Sequence, residues 1–400
     1  MNPLEQQLDS FDPAVRRRAL EQLAAAEKFP APTDWHNLHS HTFFSYNAYG
    51  YSPSRFAYLA KQRGLGLAGI VDFDVLDAVD EFHEAGKLLG LKTVASIESR
   101  TFVPEFATRV INSPGEPGIC YHMGVGFPRA VTHPLLTEMR RTAEQRNREL
   151  IARVNTFTAP VTLDYDKDVL PLTPNGNATE RHFCEAYSKK GDATFWKSKL
   201  GDCPADAGKL QALIRSKTMK KGGVGYVQPG KDSFPLMADM NQFIIEAGGI
   251  PTLTWLDGTS DGEKCIEELF DVAIRCGAAA LNIIPDRNYT PGVKDQKLQN
   301  LYDIVALAEK HHFPIIAGTE MNAPGNKFVD DFATTELKPL LPIFLKGAHI
   351  VFAHTLLQRH TGQGYLCDWA KKLPDRNATF ANLGRASSVN VTKEQLLARI

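Results

Sequence analysis

The sequence predicts an α/β chain built on a parallel sheet or barrel, with a helical insert in its middle and a helical extension at its N-terminus. Three observations predict it. Short apolar runs alternate with amphipathic helices from Asp34 onward. The alternation stops near Pro128 and resumes at Gly249. Residue types that bind metals fall at the ends of the apolar runs, where a parallel barrel gathers its chemistry.

In residues 1–33, Asp12-Pro13 reads as an N-cap and first turn, and Val15, Ala19, Leu20 and Leu23 mark one apolar stripe. Pro30-Ala-Pro32 ends this extension, because a residue before proline avoids the helical region. The barrel is then assigned to 34–130 and 246–400, with an inserted, mainly helical subdomain over 131–245.

The first barrel strand carries His36-Asn-Leu-His39-Ser-His41-Thr42. Ser52-Pro53 opens a helix with Phe56, Leu59 and Ala60, and Gly64 closes it. Leu67–Val71 is a buried strand, Val75, Val79 and Phe82 follow at helical spacing, and Lys92–Ile97 is the next strand. A further apolar strand holds Cys120-Tyr-His122-Met-Gly. In the insert, Leu150, Ile151, Val154 and Phe157 mark a helix, and 17 Lys+Arg against 13 Asp+Glu make it basic. Beyond it come strands at Gly249–Trp255, Ala279–Ile284 and Pro314–Gly318, with a helix around Leu301–Lys310.

Composition narrows the function classes. The 400 residues are 43% hydrophobic and 23% charged, enough for a large core and too apolar for a disordered chain. A formal charge of −1 argues against a broadly nucleic-acid-binding surface, which makes nucleic acid an unfavoured partner. Six scattered cysteines form no C-x-x-C pair, so neither a disulfide scaffold nor a structural zinc module is expected. With no apolar leader and no apolar run of about 18 residues, a cytoplasmic protein that does not enter membranes is expected. Gly64-Leu-Gly66-Leu-Ala-Gly69 matches a nucleotide-binding spacing, but it precedes a strand where that fingerprint must follow one.

The strand ends carry the chemistry. His39 and His41, at i and i+2 on a strand, present two imidazoles to one centre. Asp72 and Asp74, Glu98 with Arg100, His122, and Glu320 with Asn322 stand at or near the ends of other strands. His349, His354 and His360 cluster near the C-terminus, and the basic stretch Arg215–Gly225 can cradle a phosphate or lie in solvent.

His39-Ser-His41-Thr42, Asp72-Phe73-Asp74, Glu98 and His122 together resemble the PHP family (polymerase and histidinol phosphatase), closely over 34–130 and loosely over 245–325. The resemblance implies a distorted (β/α)7 TIM-like barrel that binds divalent metals and hydrolyses phosphoesters. It assigns His39, His41, Glu98, His122 and Glu320 as metal ligands, with Asp72, Glu98 and Arg100 as catalytic groups, Arg100 receiving phosphate charge. Phe73, Trp255 and Asn322 stand where the family pattern has histidines, and Glu320 where it has aspartate. One or two ions of Mn, Fe or Zn are therefore expected rather than three, activating a water against a small phosphoester or nucleotide. The competing expectation is a catalytically degenerate barrel serving as a ligand-binding or scaffold module. Another reaction at the same metal, such as hydrolysis of a C–N bond, is a third.

Overall fold

The computed structural model describes residues 2–230 and 232–400. Seven strands form one nearly closed barrel wall in sequence order: β1 (His36–Ser40), β2 (Leu67–Phe73), β3 (Lys92–Phe102), β4 (Ile119–Val125), β5 (Ile250–Trp255), β6 (Ala280–Ile283) and β7 (Ile315–Ala317). Neighbours run parallel except at β4, which is antiparallel to both β3 and β5. Strand direction at β4 is thus the departure from a uniform parallel alternation. The connection of β3 to β4, residues 103–118, holds only the short turn Pro104–Phe106 and no crossover helix of the kind that usually joins a parallel pair.

Register sorts the side chains into two faces. Leu253, Trp255, Leu281 and Ile283 share an outer core with the helices Ile266–Arg275 and Gln296–Lys310. The opposite face carries Val71, Val94, Val125, Ile250 and Ile316, which pack with residues of the helix Leu341–Thr361. That helix is apolar nearly all round because it plugs the N-terminal end of the barrel, touching β1, β3 and β7. Gly347 allows the contact, since a Cβ there would lie 1.9 Å from the Ile315 carbonyl oxygen.

Between β7 and β1 there is no continuous ladder among the described residues, and the wall is closed by the backbone bond from His41 N to Glu320 O at 2.9 Å together with one side chain. Asn37 Oδ1 accepts from Thr319 N at 3.1 Å, while its Nδ2 donates to Thr319 Oγ1 and to Phe328 O, both at 2.9 Å. Gly318 permits this approach, because a Cβ would sit 2.2 Å from Asn37 Oδ1.

Asp12 caps the helix Pro13–Ala26, accepting from Ala14 N at 2.8 Å, a contact worth about 1 kcal/mol. Leu20 and Leu23 bury their stripe against the barrel's outer helices, and buried Arg16 pairs with Glu81. In the insert, the helices Pro134–Thr158, Glu180–Lys190, Ala193–Leu200 and Ala207–Thr218 enclose a separate core around Val154, Phe183, Trp196 and Ile214. The helix Met237–Glu246 packs instead on β3, β4 and β5. Among the described residues no helix is long and apolar enough to cross a membrane.

Candidate metal centre

A bulge in β1 places the first ligand. Asn37 pairs with Ala68 and Ser40 with Ile70, so three steps on β1 match two on β2. Ala68 and Ile70 belong to the outer core, whereas Leu38 belongs to the inner one, so the extra residue turns both Leu38 and His39 inward. His39 N donates to Asn37 Oδ1 at 2.9 Å, which ties the bulge to the seam. His41, two residues on, faces inward again.

Glu98, near the end of β3, meets both rings. His39 Nε2 lies 3.7 Å from Glu98 Oε1, and His41 Nε2 lies 3.4 Å from Oε2. One donor atom from each of the three lies within 4.8 Å of the others, and all three residues are buried. For ligands about 2.1 Å from a common ion, a tetrahedral edge is about 3.4 Å, so the triangle has the size of a coordination face.

His41 is oriented from behind. Its Nδ1 lies 3.0 Å from Ser45 Oγ, and Ser45 Oγ donates to Asp72 Oδ1 at 2.7 Å. Because the serine proton goes to Asp72, His41 Nδ1–H must donate to Ser45, which leaves the Nε2 lone pair facing the triangle. Asp72 also accepts from Thr42 N at 2.8 Å and from Thr42 Oγ1 at 2.6 Å, so its oxygens are committed to holding the loop. Asp72 therefore positions His41 and does not enter the triangle.

The electrostatics agree with a site built for a cation. Burial pushes Glu98 up, but the adjacent His41 and the charges of His39 and Arg287 outweigh it, holding the carboxyl below its ordinary range. Burial lowers His39 against the opposing pull of Glu98. Both ring nitrogens of His39, and Nε2 of His41, are buried without a hydrogen-bond partner. So are Thr254 Oγ1 and Asn282 Oδ1, which register places on the same inner face, on β5 and β6. Orphaned donors and acceptors at this density normally have an ion or water between them. Two imidazoles and a carboxylate suit Zn, Fe or Mn, so the residues present fit a divalent metal.

His122 is a correction to the ligand set read from the sequence. In the antiparallel register Glu98 opposes Met123, and His122 opposes Ser99. Directly opposed residues share a face, so His122 points out of the barrel while Glu98 points in. There its Nε2 meets Asn241 Oδ1, and Asn241 Nδ2 donates to Cys276 O at 2.9 Å. The side chain is a buried wall residue beneath the helix Met237–Glu246, bonded through Nε2 and with Nδ1 unpartnered.

Glu320 reaches the mouth without joining the triangle. Its carboxylate is taken by Arg287 Nη2 at 2.8 and 3.1 Å, although its charge still acts on His39 and His41. Arg100 points inward but is engaged by Glu116 Oε2 at 3.1 Å and lies 4.3 Å from the Phe234 ring centroid. Phe73 pairs with Glu98 in register and packs edge-on against Tyr121 at 6.1 Å, giving the site an aromatic wall. Trp255 is in the outer core, away from the site. His349 and His354 lie in the plug helix, where His354 Nε2 meets Gly248 O at 2.8 Å.

Sequence reasoning missed Ser45, Asn37 and Tyr121. Ser45 had a local signal, four residues beyond His41 and just before Tyr46, whose φ of 102° bends the loop back. The others have no local signature.

No family model matches this chain, and no curated protein matches it. Among solved structures, an amidohydrolase from Chromobacterium violaceum, with bound sulfate and no metal, superposes with a TM-score of 0.54 at 17% identity, covering 77% of this chain and 96% of the other. A protein from Bifidobacterium adolescentis, provisionally assigned as a metal-dependent phosphoesterase, superposes with a TM-score of 0.54 at 16% identity, covering 79% and 98%. At these identities the likeness is one of fold.

Proposed function

We propose that the chain is a metal-dependent hydrolase of PHP type, acting on the phosphoester of a small molecule or nucleotide. The observation that carries the reading is the buried His39–His41–Glu98 triangle, whose inward nitrogens have no protein partner. Its fold neighbours include an amidohydrolase and a provisionally assigned metal-dependent phosphoesterase, which supports the hydrolase class. A divalent ion held by the triangle would polarise a phosphoryl oxygen and lower the pKa of a water beside it.

The rest falls to this chain's own residues. Asp72, through Ser45, holds His41 in the tautomer that presents Nε2. Arg287, anchored by Glu320, brings a guanidinium to the edge of the triangle, where charge develops on a transferring phosphoryl group. Phe73 and Tyr121 narrow the mouth and exclude water from one side. Six unpaired cysteines suit a reducing, cytoplasmic setting.

The test is to purify the full chain without added metal and measure bound Mn, Fe and Zn. Phosphomonoesters and phosphodiesters are then assayed with each ion. Stoichiometric metal that disappears in the His39→Ala/His41→Ala variant, together with turnover of one ester class, is expected. Metal without turnover would favour the degenerate binding module, a reading supported by Phe73 filling the wall beside Glu98. No metal in either protein would sink the hydrolase reading.

A further inference from the structure

The relay behind His41 is held from the insert as well as from the barrel. Phe44 immediately precedes Ser45, and Phe73 immediately follows Asp72. The carbonyl oxygens of these two residues converge on one side chain of the insert. Asn177 Nδ2 donates to Phe44 O at 3.0 Å and to Phe73 O at 2.8 Å. An amide nitrogen carries two hydrogens, so both bonds form at once, and opposite two acceptors only the NH2 end fits. The clamp joins the loop after β1 to the end of β2, at the residues next to the two that orient His41.

Asn177 is itself fixed from the insert side. It stands in the loop before the helix Glu180–Lys190. Beside it, Asn147 Nδ2, on the helix Pro134–Thr158, donates to Ala178 O at 2.8 Å, and Gly176 N donates to Thr173 Oγ1 at 3.0 Å. Ser45 is flanked on its other side too. Tyr46, at a φ of 102°, packs edge-on against the His182 ring at 4.9 Å. His182 is held in turn by Thr179 N, which donates to its Nδ1 at 3.0 Å. Both chain neighbours of Ser45 therefore rest on the insert, and so does the neighbour of Asp72. Hydrogen bonds tolerate little change in length or angle, so the segment that fixes this backbone fixes the direction of the His41 Nε2 lone pair.

We propose that Asn177 is a positioning residue for the metal triangle, acting through Ser45 and Asp72, and that the insert thereby sets how tightly the triangle holds its ion. This role rests on the metal reading of His39, His41 and Glu98. Without Asn177 the two carbonyls turn to water, the loop after β1 gains freedom, and Ser45 no longer stays in place to accept from His41 Nδ1–H.

The test measures the affinity of the full chain for zinc ion by competition against a chelator of known affinity. Asn177→Ala removes both donors and should weaken binding about tenfold, the lower end of the effect of a group bonded directly to a ligand. Asn177→Gln keeps two N–H donors on a longer arm and should recover part of the loss. A double-mutant cycle with Ser45→Ala separates positioning from general loosening: once Ser45 is gone, losing Asn177 should cost much less affinity. Asn155→Ala is the control for insert stability, because Asn155 bonds Leu163 and Tyr187, both inside the insert. That variant should lower the thermal midpoint of the metal-free chain and leave zinc affinity at the wild-type value. Each variant is compared at a temperature where it is folded. Wild-type affinity in Asn177→Ala, additive losses in the cycle, or an equal loss in Asn155→Ala would overturn the proposal and leave the metal reading intact. No zinc bound by the wild type, or zinc bound equally well by His39→Ala/His41→Ala, would overturn the metal reading and the role of Asn177 with it.

Discussion

Glu98 and His122 occupy adjacent strands of the barrel, yet their side chains lie on opposite sides of its wall. The cause is the antiparallel pairing of β3 with β4, which aligns Glu98 with Met123 and His122 with Ser99. A histidine in an apolar strand next to a ligand strand is thus kept out of the metal centre by one step of register.

This relationship predicts a separation of stability from metal binding. Replacing His122 by Leu leaves Asn241 Oδ1 buried without a donor, at a cost of about 1–3 kcal/mol. Metal content should stay at the wild-type value while the denaturant midpoint falls. Loss of metal in His122→Leu, at a temperature where the variant remains folded, would place this residue back among the ligands.

The His41–Ser45–Asp72 relay predicts a graded effect on the metal. Ser45→Ala leaves His41 Nδ1–H without its acceptor and frees the ring to rotate, and Asp72→Asn reverses one acceptor of the loop. Partners of this kind are worth about 10–100-fold in metal affinity. Competition against a chelator of known affinity measures the change. Equal affinity in wild type and Ser45→Ala would show that the relay does not orient His41.

Asp330 predicts a pH dependence of stability that is separate from the metal centre. The residue is fully buried and neither carboxylate oxygen has a partner. Burial, helped by the nearby charge of Asp286 and opposed by Lys327, raises it from 3.8 to about 7. The folded chain therefore holds this proton where the unfolded chain has lost it. The stabilisation is complete below about pH 4 and drains away as the pH rises to about 7, at up to about 1.4 kcal/mol per unit. Buried histidines such as His36 and His83, lowered to about 4, slope the other way, so the variant must be compared with wild type at each pH. Asp330→Asn should gain stability relative to wild type between pH 5 and pH 8 in urea unfolding. A difference that stays flat across that range would remove Asp330 from the account.

Much of the barrel was legible because the signals are local. Ser52-Pro53 and Asp12-Pro13 start helices by chemistry contained in a few neighbouring residues, and both caps form. The apolar runs at Leu67, Lys92 and Ile250 became strands for the same reason. His39 and His41 were readable as a pair because i and i+2 share a strand face, and the bulge between Asn37 and Ser40 leaves both facing inward. Glu98 was readable from its place near a strand end.

What the sequence alone determined is therefore the alternation of strands and helices, the interrupted barrel and the two-histidine first strand, all set by short-range periodicity and capping. Tertiary structure decided which donors meet. The direction of β4 turned His122 outward, Asn37 reached across the seam to Thr319, and Arg287 claimed Glu320. Each of these depends on contacts between residues far apart in the chain, where the face a side chain presents is fixed by the register and packing of another segment. A residue's type and its spacing to near neighbours carry no record of that.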